Sequence, residues 1–409
     1  MNTAPADRAA DPDVIVVGGG IGGLSSAYAL TVAGRRVRVL EQSSAFGEVG
    51  AGLQLGPNAT RILREWGLLD EVVSAGVLPR RLVLKDALDG SELTHLDLGR
   101  DFRDRYGAPY VVIHRSDLLD ILLRACKRAD IDLVPDAQVL AVQDGPDMAA
   151  AVTCQTAHRA ALVVAADGLW STLRRNLSDD EPICSGYVAY RGAIPLSEAA
   201  ELEGLSPGDV VVYVGPGRHF VQYTLRQGDM LNQVAVFASP AYQRGEADWG
   251  GPDELDAMFS ACCRQVQRGA AKLGRERRWP MFDRLPISNW VRGRLALTGD
   301  AAHPMLQYLA QGACQAIEDA WTLAAQAPPP GSDGQDEWRV ALDAYQKLRT
   351  ERTAQVQLTA RTWGDLWHCD GLTRAVRNEL LRERDPADYR HVDWLYGKEV
   401  ACGQMNLPV

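Results

Sequence analysis

Residues 13–41 read DVIVVGGGIGGLSSAYALTVAGRRVRVLE, and the fold follows from them. Asp13 to Val17 is a short apolar run of the kind buried in a parallel sheet, and six residues rich in glycine, Gly18 to Gly23, follow at once. Leu24 to Ala33 reads as a helix closed by Gly34, and Val37 to Glu41 as the next strand. This is one βαβ unit whose glycine turn opens the helix. Gly18-x-Gly20-x-x-Gly23 has the spacing of the dinucleotide fingerprint. Its glycines let backbone approach a pyrophosphate at the helix N-terminus, and Glu41, closing the second strand, is placed to hold ribose hydroxyls. The spacing alone does not separate a flavin from a nicotinamide dinucleotide.

A second stretch, TGDAAHPMLQYLAQGACQAIEDAWT at 298–322, narrows the choice. The apolar run Leu295 to Leu297 ends in Gly299-Asp300, a loop follows, and a helix begins near Gln311-Gly312-Ala313. Asp300 can accept hydrogen bonds from ribityl hydroxyls. The free N–H groups at Gly312 and Ala313 suit the negative edge of a reduced isoalloxazine. Ala161 to Gly168 repeats the strand-then-Asp-Gly pattern at Asp167, so one cofactor domain is expected from separated pieces.

The remaining composition sets bounds. The 409 residues are 46% hydrophobic and 23% charged, enough for two or three globular domains. A net charge of −10 argues against nucleic acid as a partner. The cysteines, at 126, 154, 184, 262, 263, 314, 369 and 402, form no CxxC pair and no metal-ligand cluster. They read as reduced thiols of a cytoplasmic protein. Residues 1–12 read as a disordered lead-in without the features of a signal peptide, and no apolar run approaches the roughly 20 residues of a membrane span.

Residues 209–238 alternate as three strands of an antiparallel sheet, divided by turns at 215–217 and 227–229. On such a strand His219, Val221 and Tyr223 share one face, with Phe220 and Gln222 on the other. An imidazole and a phenol on one sheet face can bind a phenolic substrate and move its proton; a structural histidine is the alternative. Arg115, ahead of a helix over Leu118 to Lys127, can reach the cofactor. His303 reads as a loop-shaping residue, and His95, His158, His368 and His391 have no recognisable partners. Cys262-Cys263 reads as core on a helix, and Trp363 and Trp367 as helix packing. A helical region is expected from about Glu337.

Gly18 to Gly23, Ala166-Asp167-Gly168 and Gly299-Asp300 resemble the three signatures of the single-component flavoprotein aromatic hydroxylases. The resemblance extends over nearly the whole chain. Gly50-Ala-Gly-Leu-Gln-Leu-Gly-Pro-Asn-Ala59 resembles its salicylate and 3-hydroxybenzoate hydroxylase branch, and His303-Pro-Met-Leu-Gln-Tyr-Leu-Ala310, Gln233 to Phe237, and the tail Leu366-Trp-His-Cys-Asp-Gly with Arg377-Asn-Glu-Leu and Asp393-Trp-Leu-Tyr-Gly are similar to the 3-hydroxybenzoate 6-hydroxylases within it. Met305 stands where that pattern has a second proline.

The resemblance implies an α/β fold with a Rossmann-like FAD-binding domain of the para-hydroxybenzoate hydroxylase type (1–75, 106–185 and 285–330). An antiparallel-sheet substrate domain (76–105 and 186–284) and a C-terminal helical region (331–409) complete it. It implies FAD held by Gly18, Gly20, Gly23, Glu41, Gln54, Arg115, Asp167, Asp300, Gly312 and Ala313. His219 and Gln307 become the catalytic pair, with Tyr223 and Pro304 binding substrate. NADH or NADPH, O2 and a small aromatic acid are the implied partners, in a homodimer without a separate nicotinamide domain. The implied reaction is hydroxylation of 3-hydroxybenzoate para to its hydroxyl. A salicylate-type decarboxylating hydroxylase, a tailoring hydroxylase of a substituted phenol, and a flavin-binding protein without turnover are the alternatives.

Overall fold

The strand Val14–Val17 is buried along its whole length and pairs in parallel with Leu162–Ala165 on one side and Val37–Leu40 on the other. The computed structural model describes residues 11–47, 50–145, 147–199, 205–246, 251–332 and 334–397; most of the lead-in and the end of the tail lie outside these. Around the central strand runs a six-stranded sheet, completed by Asp132–Val134, Leu295–Leu297 and Val291–Arg292. The three strand-then-turn signals of the sequence therefore lie side by side, bringing Gly18, Asp167 and Asp300 to one edge.

The first helix runs Ile21–Val32 with Gly20 as its cap, three residues earlier than its apolar run suggests. Gly22 and Gly23 lie in its first turn, where glycine costs stability unless close packing requires it. At Gly23 it does: a Cβ there would stand 1.9 Å from the carbonyl oxygen of Gly18. Gly18 itself has φ +107, and a Cβ on it would meet the Ala166 carbonyl oxygen at 2.4 Å. Two positions of the fingerprint thus serve the packing of turn against strand.

A seven-stranded sheet forms the second layer, in the order Trp279–Asp283, Ile183–Pro195, Met230–Ala238, Arg218–Leu225, Asp209–Gly215, Arg81–Asp86, Glu92–Asp97. All neighbours are antiparallel except Asp209–Gly215 with Arg81–Asp86. The three expected strands sit at its centre. The other four escape a reading by alternation, because Gly186, Arg191 and Gly192 interrupt Ile183–Pro195 and charges flank the short apolar run of Arg81–Asp86. One face carries Val212, Val221, Tyr223 and Val234 towards the C-terminal helices; the other packs Tyr213, Phe220 and Phe237 against Leu255, Phe259 and Val266.

Gln335–His368 is a single helix of 34 residues, about 50 Å long at 1.5 Å per residue. Its N-terminal half buries Trp338 and Tyr345 in the core of the parallel sheet, and its C-terminal half buries Val356 and Trp367 against the second sheet. It ties the two layers together; Arg377 of the helix Gly371–Arg382 bonds the Leu366 and Trp367 carbonyls at its end, and Arg352 at its middle bonds the Trp394 and Leu395 carbonyls of the helix Arg390–Tyr396. Two local expectations are corrected. The helix after His114 starts at Arg115, because His114 itself caps it by accepting from the Ser116 N–H. Cys262 and Cys263 are core residues but precede the helix Arg264–Ala271, with Cys263 at its cap. Among the described residues no helix is long and apolar enough to cross a membrane.

Candidate active site

A cavity of about 1060 Å³ runs from the glycine turn, between the two sheets, to the C-terminal helices. Gly18, Gly20, Glu41, Gln54, Arg115, Asp167, Asp300, Gly312 and Ala313 line it at one end, and His219, Tyr223 and Gln307 at the other. Two predicted residues lie outside the lining. Gly23 serves helix–strand packing, as above. Pro304 faces away, its carbonyl accepting from Gln357 Nε2 at 3.0 Å, and the neighbouring Met305 lines the cavity instead.

The nucleotide end is pre-shaped. Glu41 Oε2 accepts from the Gly19 N–H at 2.6 Å and Oε1 from the Ser43 N–H at 2.8 Å, so its carboxylate is anchored where the turn meets the second strand. Nothing lies within 4 Å of where a Cβ on Gly20 would stand, which leaves the turn open to a ligand. Asp167 accepts the Thr172 and Leu173 N–H groups at Oδ2, while its buried Oδ1 has no hydrogen-bond partner among the described residues. Burial pushes the Asp167 carboxyl up against those hydrogen bonds. Open glycines, an orphaned acceptor and an anchored acid in one long cavity fit a dinucleotide. Glu41→Gln is expected to raise the FAD dissociation constant about tenfold, since charge-assisted hydrogen bonds become neutral ones; flavin titration of the apoprotein measures it.

The helix Gly312–Gln326 presents its first turn to the cavity. A Cβ on Gly312 would approach only Asp300 Oδ1, at 3.9 Å. Ahead of it, Ala310 holds a left-handed conformation (φ +52), a strain that the surrounding loop must maintain. The loop is held from behind by a buried polar network. Asp319 Oδ2 accepts from the Gly299 N–H at 2.9 Å and contacts His303 Nε2 at 2.6 Å, while Arg349 reaches Asp319 at 2.7 Å and Glu318 at 2.6 Å. Burial pushes both carboxyls up, but the cations around them outweigh it and hold both below their ordinary range. His303 is therefore a member of a buried polar network as well as a loop residue.

At the far end, Tyr223 packs its ring over Gly52, where a Cβ would stand 2.6 Å from the ring. His219 is 1% exposed, and its Nδ1 lies 2.8 Å from Nε2 of His368, the last residue of the long helix. The histidine read as partnerless is thus the partner of the candidate base. Burial, then His368 and Arg191, hold the His219 imidazole well below its ordinary value, so it is neutral near pH 7. Trp367 packs edge-on against the His219 ring at 5.1 Å, and Trp363 and Trp367 both line the cavity in addition to packing on each other.

Arg191 is the residue that sequence reasoning missed. It lies on Ile183–Pro195, lines the cavity, and donates from Nη2 to Gln307 Oε1 at 2.6 Å. Burial lowers its pKa, and its Nε has no hydrogen-bond partner among the described residues. The available signal was one cation in the apolar run around Tyr190-Arg191-Gly192. Because arginine only donates, the Gln307 oxygen is the engaged end and its amide N–H₂ is left to donate into the cavity. The wall therefore offers an imidazole acceptor, an amide donor and a cation, a set suited to a phenol that also bears a carboxylate.

Comparison with known proteins accords with this geometry. Residues 11–359 match the family described as FAD binding domain. The chain is 36% identical over 398 residues to 3-hydroxybenzoate 6-hydroxylase of Polaromonas naphthalenivorans (strain CJ2), covering 97% of this chain and 98% of that one. It is also 36% identical over 402 residues to 3-amino-4-hydroxybenzoate 2-monooxygenase of Streptomyces cremeus, covering 95% of each. Among solved structures, HpxO of Klebsiella pneumoniae complexed with FAD and uric acid superposes with a TM-score of 0.80 at 27% identity, covering 94% of this chain and 95% of that one.

Proposed function

The chain belongs to the FAD binding domain family and is a flavoprotein aromatic monooxygenase, and on that premise we propose that it hydroxylates 3-hydroxybenzoate to 2,5-dihydroxybenzoate. Bound FAD would supply the redox chemistry, with NAD(P)H as electron donor and O2 as oxidant. The chain's own residues bind the phenol, exclude water and move its proton. The observation that carries the reading is one cavity with Asp300 and the Gly312 helix start in its lining and with His219, Gln307 and Arg191 on its far wall.

A phenol has a pKa near 10, as in tyrosine, and its carbons become strongly nucleophilic only as the phenolate. Neutral His219 accepts that proton at Nε2, the ring nitrogen not engaged by His368, and the Gln307 amide donates to the phenol oxygen. Arg191 and Arg115 supply positive charge for the carboxylate and the phenolate. Of the cavity-lining residues, Gly18, Gly20 and Glu41 would hold the adenosine and pyrophosphate of FAD, and Asp167, Asp300, Gly312 and Ala313 its ribityl chain and ring. Gln54, whose Oε1 accepts from Tyr110 at 2.7 Å, and Arg115 would complete the FAD site. The discontinuous domain division and a homodimer belong to the same proposal.

The test is a screen of hydroxybenzoates for stimulated NADH and NADPH consumption, with products identified by mass and NMR. The expected product is 2,5-dihydroxybenzoate from 3-hydroxybenzoate. Catechol from salicylate would replace this reading with the decarboxylating one. Preferential turnover of 3-amino-4-hydroxybenzoate would replace it with the aminophenol reading, which the equal identity to that second relative keeps as the specific rival.

A further inference from the structure

We propose that His368 is a positioning residue for His219 and the second member of a two-imidazole proton relay leading out of the cavity. This rests on the reading of His219 as the base. The N···N distance is 2.8 Å, the ring centroids lie 5.1 Å apart and the planes differ by 19°. Two rings so disposed meet edge to edge in one plane, which is the geometry of an N–H···N bond and not of a face-to-face stack.

One proton is shared between the two facing nitrogens, and its position decides what His219 can do. If His219 Nδ1 carries it, His219 Nε2 is bare and can accept a proton; if His368 Nε2 carries it, His219 Nε2 bears hydrogen and cannot. In the competent state the phenol proton passes to His219 Nε2, the Nδ1 proton passes to His368 Nε2, and His368 releases its own Nδ1 proton to water. The substrate becomes the phenolate, both imidazoles end neutral, and the reverse passage returns the proton when product leaves. Exposure follows that direction: His219 is 1% exposed and His368 8%.

His368 is held for this task. It closes the long helix, its carbonyl accepts the Gly217 N–H at 2.9 Å, and its ring lies on Tyr187 at 4.6 Å. Burial, then Arg377, push its imidazole down to about 3, so it too is neutral at rest. The ionisable groups around the pair are Arg191 and Tyr187 on Ile183–Pro195, Tyr308 in the loop ahead of Gly312, Asp365 on the long helix, and Arg377 with Cys369 on the other side.

The experiment uses the holoenzyme. In substrate-free protein labelled with ¹⁵N-histidine, NMR is expected to show His219 protonated at Nδ1 and bare at Nε2; the opposite tautomer overturns the relay whatever the substrate is. In single turnovers with 3-hydroxybenzoate, His368→Gln, which keeps a hydrogen-bonding side chain but cannot relay, is expected to slow hydroxylation about tenfold with KM nearly unchanged. The pH at which bound substrate shows its phenolate absorbance rises, and added imidazole restores part of the rate in His368→Ala. In a His219→Ala background the His368→Gln effect vanishes. An unchanged pH profile in His368→Gln, with a normal rate, overturns the relay while leaving His219 as base. Failure of the wild type to hydroxylate any hydroxybenzoate overturns the function reading and leaves the relay to the tautomer measurement.

Discussion

His219→Ala is expected to bind FAD as the wild type does and to lose hydroxylation by about 10²–10⁴-fold, the usual contribution of a positioned general base. His219 is not among the residues proposed to hold FAD, so flavin content and the visible spectrum are expected to stay normal. NADH oxidation continues but oxygen is diverted to hydrogen peroxide, because a neutral phenol is a poor nucleophile at pH 7. The measurement is the ratio of hydroxylated product to NADH consumed. The truncation also leaves His368 Nε2 without its partner, so His219→Gln, which can refill that hydrogen bond, separates loss of the base from loss of packing. Wild-type coupling in His219→Ala would remove the imidazole from the mechanism.

Arg349→Met is expected to lower stability by about 3–5 kcal/mol, the cost of removing one partner from a buried ionic network. Arg349 is fully buried and bonds Asp319, Glu318 and Gln315 at once. Without it the two carboxylates keep Arg352 as their cation and the hydrogen-bonding contact of His303 Nε2. Since Asp319 also holds the Gly299 N–H, the loop that presents Asp300 and the Gly312 helix start should shift as well. The variant is therefore expected to lose FAD during purification and to unfold at lower temperature and lower denaturant concentration. An unfolding midpoint and flavin content equal to wild type would show that the network is dispensable. The same contacts explain why this loop, with a left-handed alanine in it, keeps one shape: the long helix clamps it from outside.

Parts of this molecule were legible in the sequence for local reasons. Gly18 and Gly23 are demanded by a positive φ and by backbone contact within a few residues, so their spacing is written along the chain. The alternation at 219–223 put His219 and Tyr223 on one face, and the structure has them there, lining one cavity. The strands at 183–195 and 81–86 were not legible, because glycines and charges break the period on which such a reading depends. Met305 lines the cavity and Pro304 does not, since which side chain of a loop turns inward depends on what packs behind it; here Gln357 of the long helix takes the Pro304 carbonyl.

By itself the sequence determined the dinucleotide turn, the α/β class and the face of the imidazole, because each rests on backbone conformation or periodicity among near neighbours, and its motifs resembled those of the family. Only the tertiary structure decided what that imidazole and its surroundings can do. His368 meets His219 across 149 residues, Arg191 meets Gln307 across 116, and Arg349 meets Asp319 across 30. Such pairings arise where a strand, a loop or a long helix meets an element distant in the chain, and no local pattern encodes where those meetings fall.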